Sequence, residues 1–531
     1  MPTESRATMR VGGEVMPRPG LPVRAILLTA SCGCAMTVLD TNIVAIVLPA
    51  IAHDLGARFA DVEWVISTYV LCFASLLLPA GAIADRYGRR RVFLAGIAVF
   101  AIASLWCGVS STAAMLSVAR ALQGVGAAFL LAPALAIIGH TFHDEGERAK
   151  AWAIWGGMMG LTMVLAPILG GAIAFLLGWR WAFFVNLPIC LVLAAAVVWF
   201  IEESRDAAAR ALDPAGIVFF AAAMFGITWG LINGQAHGWS SAPALTGFGG
   251  GVASLGVFLA VEARQPRPML DLSLFRVPRF IGAVLAMFSY AAASQVMASL
   301  LPLYLQNGLG RAPLEAGFAM LPFALAMLIM PQAGRWLGRF LTSPQLLVLG
   351  LAIVSLGDLM IGLAARGQHG PAVLVGMLVL GSGGGLMNGE TQKGIMGSVA
   401  RDRAGMASGI STTARFSGIL MGFATLSAIV AVVGRSSLLA GACATAAALC
   451  DRSRIFAEAV IAGDVPLAIS GLPPDTRQAA LDLAHTGYAA GFSAAVITAS
   501  GIALASAVLV AFLMRPTPAL NETAAAPAAN Q

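Results

Sequence analysis

The chain has 531 residues, of which 59% are hydrophobic and only 11% charged. Its mean hydropathy is +0.84. A soluble chain carries about 25% charged residues, and one core could not bury this much apolar surface, so lipid is the solvent that suits this composition. The formal net charge of +6 comes without a basic cluster interleaved with aromatics, which argues against nucleic-acid binding.

A helix crosses the hydrocarbon core with about 20 apolar residues. Fourteen such runs are expected, at 25–51, 63–83, 92–110, 113–138, 151–175, 181–201, 214–233, 244–261, 280–305, 313–336, 345–365, 371–391, 404–433 and 488–514. The first run follows Arg6, Arg10, Arg18 and Arg24 and is too long for a signal peptide, so it reads as a retained span. With the N-terminus inside, the inner segments hold 22 Lys and Arg residues and the outer segments 8, while Arg120 and Arg415 fall within spans. This bias sets both termini in the cytoplasm of the cell inner membrane.

Leu78-Pro79-Ala80-Gly81 closes span 2, and Met330-Pro331-Gln332-Ala333-Gly334 closes span 10. This weak repeat suggests two six-helix bundles with two inserted helices, as secondary transporters are built. The expected organisation is a tail at 1–24, a bundle at 25–201, a linker with two extra spans at 202–279, a second bundle at 280–514 and a tail at 515–531. An external segment at 434–487 belongs to the second bundle. No Walker A string is present, so the P-loop route to ATP hydrolysis is absent, and no enzyme activity is expected.

The most specific string is Gly81-Ala82-Ile83-Ala84-Asp85-Arg86-Tyr87-Gly88-Arg89-Arg90-Arg91, between spans 2 and 3. Gly81 would allow close helix approach, Gly88 a tight turn, and Asp85 a helix cap or a contact with a neighbouring helix N-terminus. This string resembles motif A of the major facilitator superfamily. Leu39-Asp40-Thr41-Asn42-Ile43-Val44-Ala45-Ile46-Val47-Leu48-Pro49 resembles the first-span signature of its fourteen-helix drug:proton antiporters, the EmrB/QacA type. Arg120-Ala121-Leu122-Gln123-Gly124-Val125-Gly126-Ala127-Ala128 resembles motif B, and Trp179-Arg180-Trp181-Ala182-Phe183-Phe184-Val185-Asn186-Leu187-Pro188 the entry to span 6. The antiporter motif of span 5 is matched in part: Pro167, Gly170 and Gly171 are kept, while Ala166 and Thr162 stand where the family has glycine. The second motif A copy, Gly334 to Arg339, lacks the acid. The resemblance covers all the spans in order and implies a proton-coupled multidrug efflux transporter working by alternating access, with Asp85 latching the bundles.

Ionisable residues inside spans are costly and mark function. Counted at about 1.5 Å per residue, Asp40 lies about 16 Å and Arg120 about 11 Å below the outer helix ends, so the two could face one cavity. Asp40 is the leading protonation site, or else a structural hydrogen-bond partner. Arg120 would tune it, or else clamp helices through backbone carbonyls. Asp358 in span 11 could bind a cationic drug, hold a second proton, or pair with a neighbouring helix. Glu390 could line an inner vestibule or sit solvated beside Lys393. Arg415 needs an acidic or carbonyl partner, with Glu390 and Asp358 as candidates. Glu315 is expected to be solvated at the outer mouth.

The six histidines lie in or near loops without ligand spacing on a span, so no metal or cofactor is assigned. Cys443 and Cys450 lie outside, where a disulfide can persist, although a continuous helix would hold their Cα atoms about 10 Å apart, beyond bridging distance. Pro473-Pro474-Asp475-Thr476 reads as a helix start leading to span 14. The expected partners are protons, membrane lipid and a hydrophobic or amphipathic, often cationic, substrate. A periplasmic adaptor and outer-membrane channel could assist in a Gram-negative cell. The alternatives are a dedicated exporter of one metabolite, siderophore or lipid, and a non-transporting receptor or scaffold.

Overall fold

A computed structural model describes residues 23–142, 144–205, 213–265, 272–399 and 404–515. Arg6, Arg10, Arg18, Arg210, Arg267, Arg401, Arg403 and the expected C-terminal tail beyond Arg515 lie outside the described residues. Among the described residues there is no strand, and 14 helices are long and apolar enough to cross a membrane. Large apolar side chains such as Leu191, Val192 and Trp199 stand exposed on these helices, as a lipid-facing surface requires.

Spans 1 to 6 are Val23–Leu55, Phe59–Tyr87, Arg89–Gly108, Ala113–Thr141, Glu145–Leu176, and Trp181–Phe184 continued by Asn186–Phe200. Spans 7 and 8 are Pro214–His237 and Ala242–Arg264. Span 9 is Pro278–Tyr290 and Met297–Asn307, joined through a π turn at Ala291–Gln295. Span 10 is Pro313–Ala319 and Leu321–Leu337. Spans 11 to 14 are Ser343–Arg366, Gly370–Met396, Ala404–Thr445 and Pro474–Leu513. Proline sits inside several spans, including Pro49, Pro79, Pro133 and Pro167, and neighbouring helices tolerate this in a membrane. Polar residues set the ends: Thr112 caps span 4 through the Met115 amide at 3.2 Å, and Asp213 caps span 7 through the Gly216 amide at 2.9 Å.

Spans 1–6 form one bundle and spans 9–14 the other, with spans 7 and 8 as an inserted hairpin. Gly226 and Gly230 of span 7 face Gly247 and Gly251 of span 8 so closely that a Cβ on Gly226 would lie 2.7 Å from the Gly251 Cα. Small residues four apart allow that approach. Span 7 leans on span 2 through Trp64, whose ring is 5.8 Å from Phe225 and 5.6 Å from Trp229.

The external segment differs from the expectation. Span 13 runs on to Thr445 and span 14 already begins at Pro474, the expected helix start. Between them lie short helices at Ala447–Cys450, Ser453–Ala462 and Val465–Ser470. The helix breaks after Thr445, which brings the Cα atoms of Cys443 and Cys450 to 4.2 Å and allows their disulfide. The continuous helix that would have separated them is not formed.

The bundles meet in the half of the molecule that carries the segment between spans 13 and 14. The Gln306 amide of span 9 donates to the Ile46 carbonyl of span 1 at 3.0 Å. His53, at the outer end of span 1, pairs with Asp464 of the external segment at 2.8 Å. Phe73 of span 2 and Phe416 of span 13 meet edge to face at 4.4 Å near mid-depth.

Candidate functional site: a buried ion pair and its amide shell

Span 1 carries Asp40 and span 4 carries Arg120, and the structure brings them together. Arg120 Nη1 donates to Asp40 Oδ2 at 2.6 Å, with Asp40 at 0% and Arg120 at 1% exposure. Around them lies a shell that the sequence reading did not assign. Gln123, one turn along span 4, donates through Nε2 to Asp40 Oδ1 at 2.8 Å and accepts from Arg120 Nη1 at 2.7 Å. Asn186 of span 6 donates to the same Oδ1 at 2.9 Å. Ser104 of span 3 accepts from Gln123 at 2.9 Å and from Asn186 at 3.3 Å. Arg120 Nε donates to the Val65 carbonyl of span 2 at 3.2 Å, and its guanidinium lies 4.1 Å from the Tyr69 ring centroid.

Five spans therefore meet in one network around the ion pair. Charge is tolerable at this depth only when paired and hydrogen-bonded. Both Asp40 oxygens and two Arg120 nitrogens are engaged. Arg120 combines both expected roles, as ion-pair partner of Asp40 and as clamp on a backbone carbonyl. Gln123 and Asn186 stood inside the strings that carried the family resemblance. Their signal was an amide within an otherwise apolar run, a costly residue type there.

The inner turn between spans 2 and 3 is built differently from the expectation. Gly88 has φ +116°, a backbone that other residues adopt only with strain. Asp85 pairs with Arg89 one turn on, at 2.8 Å, and among the described residues this is its ion pair. Glu203, just beyond span 6, accepts from the Arg90 and Arg91 amides at 3.1 Å and 3.2 Å and so caps the start of span 3. Arg90 Nη2 also donates to the Val198 carbonyl at 2.7 Å. Arg86 lies 5.8 Å from the Tyr87 ring centroid. Gly81 is not a close-packing point: a Cβ there would have Ala132 as its neighbour at 3.9 Å.

In span 5, Gly170 packs on Ile43 of span 1, and a Cβ on Gly171 would lie 2.6 Å from the Pro313 carbonyl of span 10. The Pro167 carbonyl faces Gly317 of span 10. The partly matched antiporter motif is thus a seam between the bundles.

In the second bundle, Arg415 Nε donates to Gln295 Oε1 in the π turn at 2.9 Å. The expected acidic candidates, Glu390 and Asp358, are not that partner. The π turn redirects Gln295, and a five-residue turn leaves no mark in hydropathy. Glu390 pairs with Lys393 at 3.3 Å and is largely buried rather than solvated. Asp358 is at 0% exposure, and neither of its oxygens has a hydrogen-bond partner. Glu315 is exposed, as expected. No group of three potential metal ligands occurs among the described residues. An apolar recess of about 360 Å³ lies between spans 2 and 7, lined by residues including Leu71, Cys72, Ser75 and Phe225. It contains none of the network residues.

The fold is that of known transporters: a bacterial homologue of the human lysosomal transporter Spinster, solved in an inward-facing and occupied conformation, superposes with a TM-score of 0.61 at 17% identity, covering 94% of this chain and 99% of that one. The multidrug efflux pump LfrA of Mycolicibacterium smegmatis is 32% identical over 477 residues, which is 90% of this chain and 93% of the relative. The tetracenomycin C resistance and export protein of Streptomyces glaucescens is 32% identical over 509 residues, 93% of this chain and 92% of the relative. The family model of the Major Facilitator Superfamily matches residues 30–423, and with the helical bundles and the motif geometry above, this chain belongs to that superfamily.

Proposed function

We propose that the protein is a drug efflux transporter of the inner membrane that exchanges hydrophobic or amphipathic, often cationic, compounds for protons. Its termini are cytoplasmic, and residues 25–201 and 280–514 act as the two bundles that rock about the substrate path. The observation that carries the reading is the buried Asp40–Arg120 pair. The Asp40 carboxylate is held by one cation and two amides, and removal of the cation leaves a buried charge without its partner. Substrate entry that displaces Arg120 would thereby be tied to proton movement. The names of the two relatives, one a multidrug efflux pump and one a resistance and export protein, support efflux as the direction. Both relatives come from actinobacteria, and the reading includes no adaptor or outer-membrane channel.

The test uses everted vesicles with an imposed pH gradient and tetraphenylphosphonium as the lipophilic cation. Addition of the cation should collapse the gradient in vesicles that contain the protein. Vesicles that behave like protein-free ones would favour the scaffold reading. A second reading, a dedicated exporter of one compound, is favoured by the relative named for tetracenomycin C alone. A resistance panel after deletion separates the two: sensitivity to many unrelated compounds supports broad efflux, and sensitivity to one supports the dedicated exporter.

A further inference from the structure

The two bundles repeat one another at the level of single contacts. In the first, Gly124 of span 4 packs on the Tyr69 carbonyl of span 2; in the second, Gly381 of span 12 packs on the Phe323 carbonyl of span 10. A Cβ on Gly126 would lie 2.6 Å from the Phe100 amide of span 3, and a Cβ on Gly383 would lie 2.6 Å from the Val354 amide of span 11. The displacement that takes Phe100 to Val354 also takes Ser104 to Asp358, and the one that takes Gly124 to Gly381 takes Gln123 to Leu380 and Arg120 to Met377. The contact of Gly357 with Leu380 confirms that this part of span 11 lies beside the counterpart of Gln123.

Asp358 therefore occupies the locus at which the first bundle closes its polar network. In the first bundle that locus is a hydroxyl bonded to Gln123 and Asn186. In the second it is a carboxyl group, and the amide and the cation are replaced by Leu380 and Met377. The flanking hydroxyls of span 14 are already used: Ser493 donates to the Gly362 carbonyl at 2.7 Å and Ser500 to the Ser355 carbonyl at 2.8 Å. Arg415, in the first third of span 13, is held by Gln295. A charge buried without a partner costs far more than a neutral group does.

We propose that Asp358 is a second proton-carrying site, neutral in the conformation described here and exchanging its proton during the transport cycle. The proposal rests on the antiport reading above. The step is a proton transfer alone: when a conformational change admits water to the site, the carboxyl O–H bond breaks, the proton passes to that water on the cytoplasmic side, and a carboxylate remains. That carboxylate is protonated again from outer water when the outer side opens. With Asp40 paired and Asp358 unpaired, the two bundles supply one exchangeable proton each.

Two measurements on the full-length purified protein test this. The first is infrared spectroscopy at neutral pH without substrate. A carboxylic acid C=O band should be present, disappear in Asp358→Asn and return, shifted, in Asp358→Glu. A wild-type spectrum in which no such band is removed by Asp358→Asn would overturn the neutral state whatever the transport assay gives. The second is the ratio of protons to tetraphenylphosphonium moved by reconstituted liposomes. Asp358→Asn should move fewer protons per cation than wild type, and Asp358→Glu should restore the ratio. An unchanged ratio in Asp358→Asn would make the residue a structural acid and overturn the proposal. Wild-type protein that moves the cation with no protons would overturn the antiport reading itself, and the infrared arm would still report on Asp358 separately.

Discussion

Arg120 Nη1 lies 2.6 Å from Asp40 Oδ2, and the two residues, on spans 4 and 1, are both sealed from solvent. Asn in place of Asp40 keeps the size and an acceptor oxygen but cannot titrate. We predict that Asp40→Asn binds tetraphenylphosphonium yet fails to accumulate it against a gradient. Substrate-induced proton release from detergent-purified protein is the measurement, and wild-type proton release from this variant would place the carrier elsewhere.

Removal of the cation should cost stability as well as coupling. Breaking one side of a buried ion pair costs about 3–5 kcal/mol. Arg120→Ala should lower the melting temperature in detergent, and the double variant Arg120→Ala with Asp40→Asn should recover part of the loss. Equal melting temperatures for Arg120→Ala and wild type would show that the pair adds nothing to stability.

The inner turn gives a third prediction. Glu203 accepts two amides at the start of span 3, where a negative charge also meets the helix dipole. Glu203→Gln should destabilise the protein by about 1 kcal/mol. Gly88→Ala should cost more, because the left-handed backbone is strained by about 1–2 kcal/mol and the new methyl group would meet Glu203. Asp85→Asn should impair transport while insertion is unchanged. Thermal shift and transport assays on the three variants check the set, and wild-type transport by Asp85→Asn would remove the latch.

At the seam, Gly171→Val should prevent the contact between the bundles seen here, since the span 10 backbone leaves no room for a side chain. The expected result is normal insertion, loss of transport and raised labelling of a cysteine placed at Gln306. Unchanged labelling would mean that span 10 yields instead.

Outside the membrane, Cys443 and Cys450 should resist maleimide until a reductant is added. For a loop this short the bridge should stabilise the fold by about 2 kcal/mol. Topology follows from the same region: a reporter near Asp464 should read external, and reporters at Arg210 and Ala519 cytoplasmic. A cytoplasmic signal near Asp464 would refute the fourteen-span arrangement.

The sequence by itself determined the number of spans and showed that Asp40 and Arg120 are ions buried at similar depth in spans 1 and 4. The reason is that the bilayer imposes a length on every crossing helix and a penalty on every ion within it, so both are legible along one dimension. Helix ends facing water carry no such constraint, which is why spans 13 and 14 extend well beyond their apolar runs. The tertiary structure decided everything that depends on helix rotation and register: the convergence of Gln123 and Asn186 on one carboxylate with Ser104 accepting from both, and the reach of Glu203 back to span 3. It also decided that the π turn offers Gln295 to Arg415 and that Asp358 meets no partner. A few degrees of rotation decide whether two polar groups on different helices bond or miss, and hydropathy along the chain contains no measure of that angle.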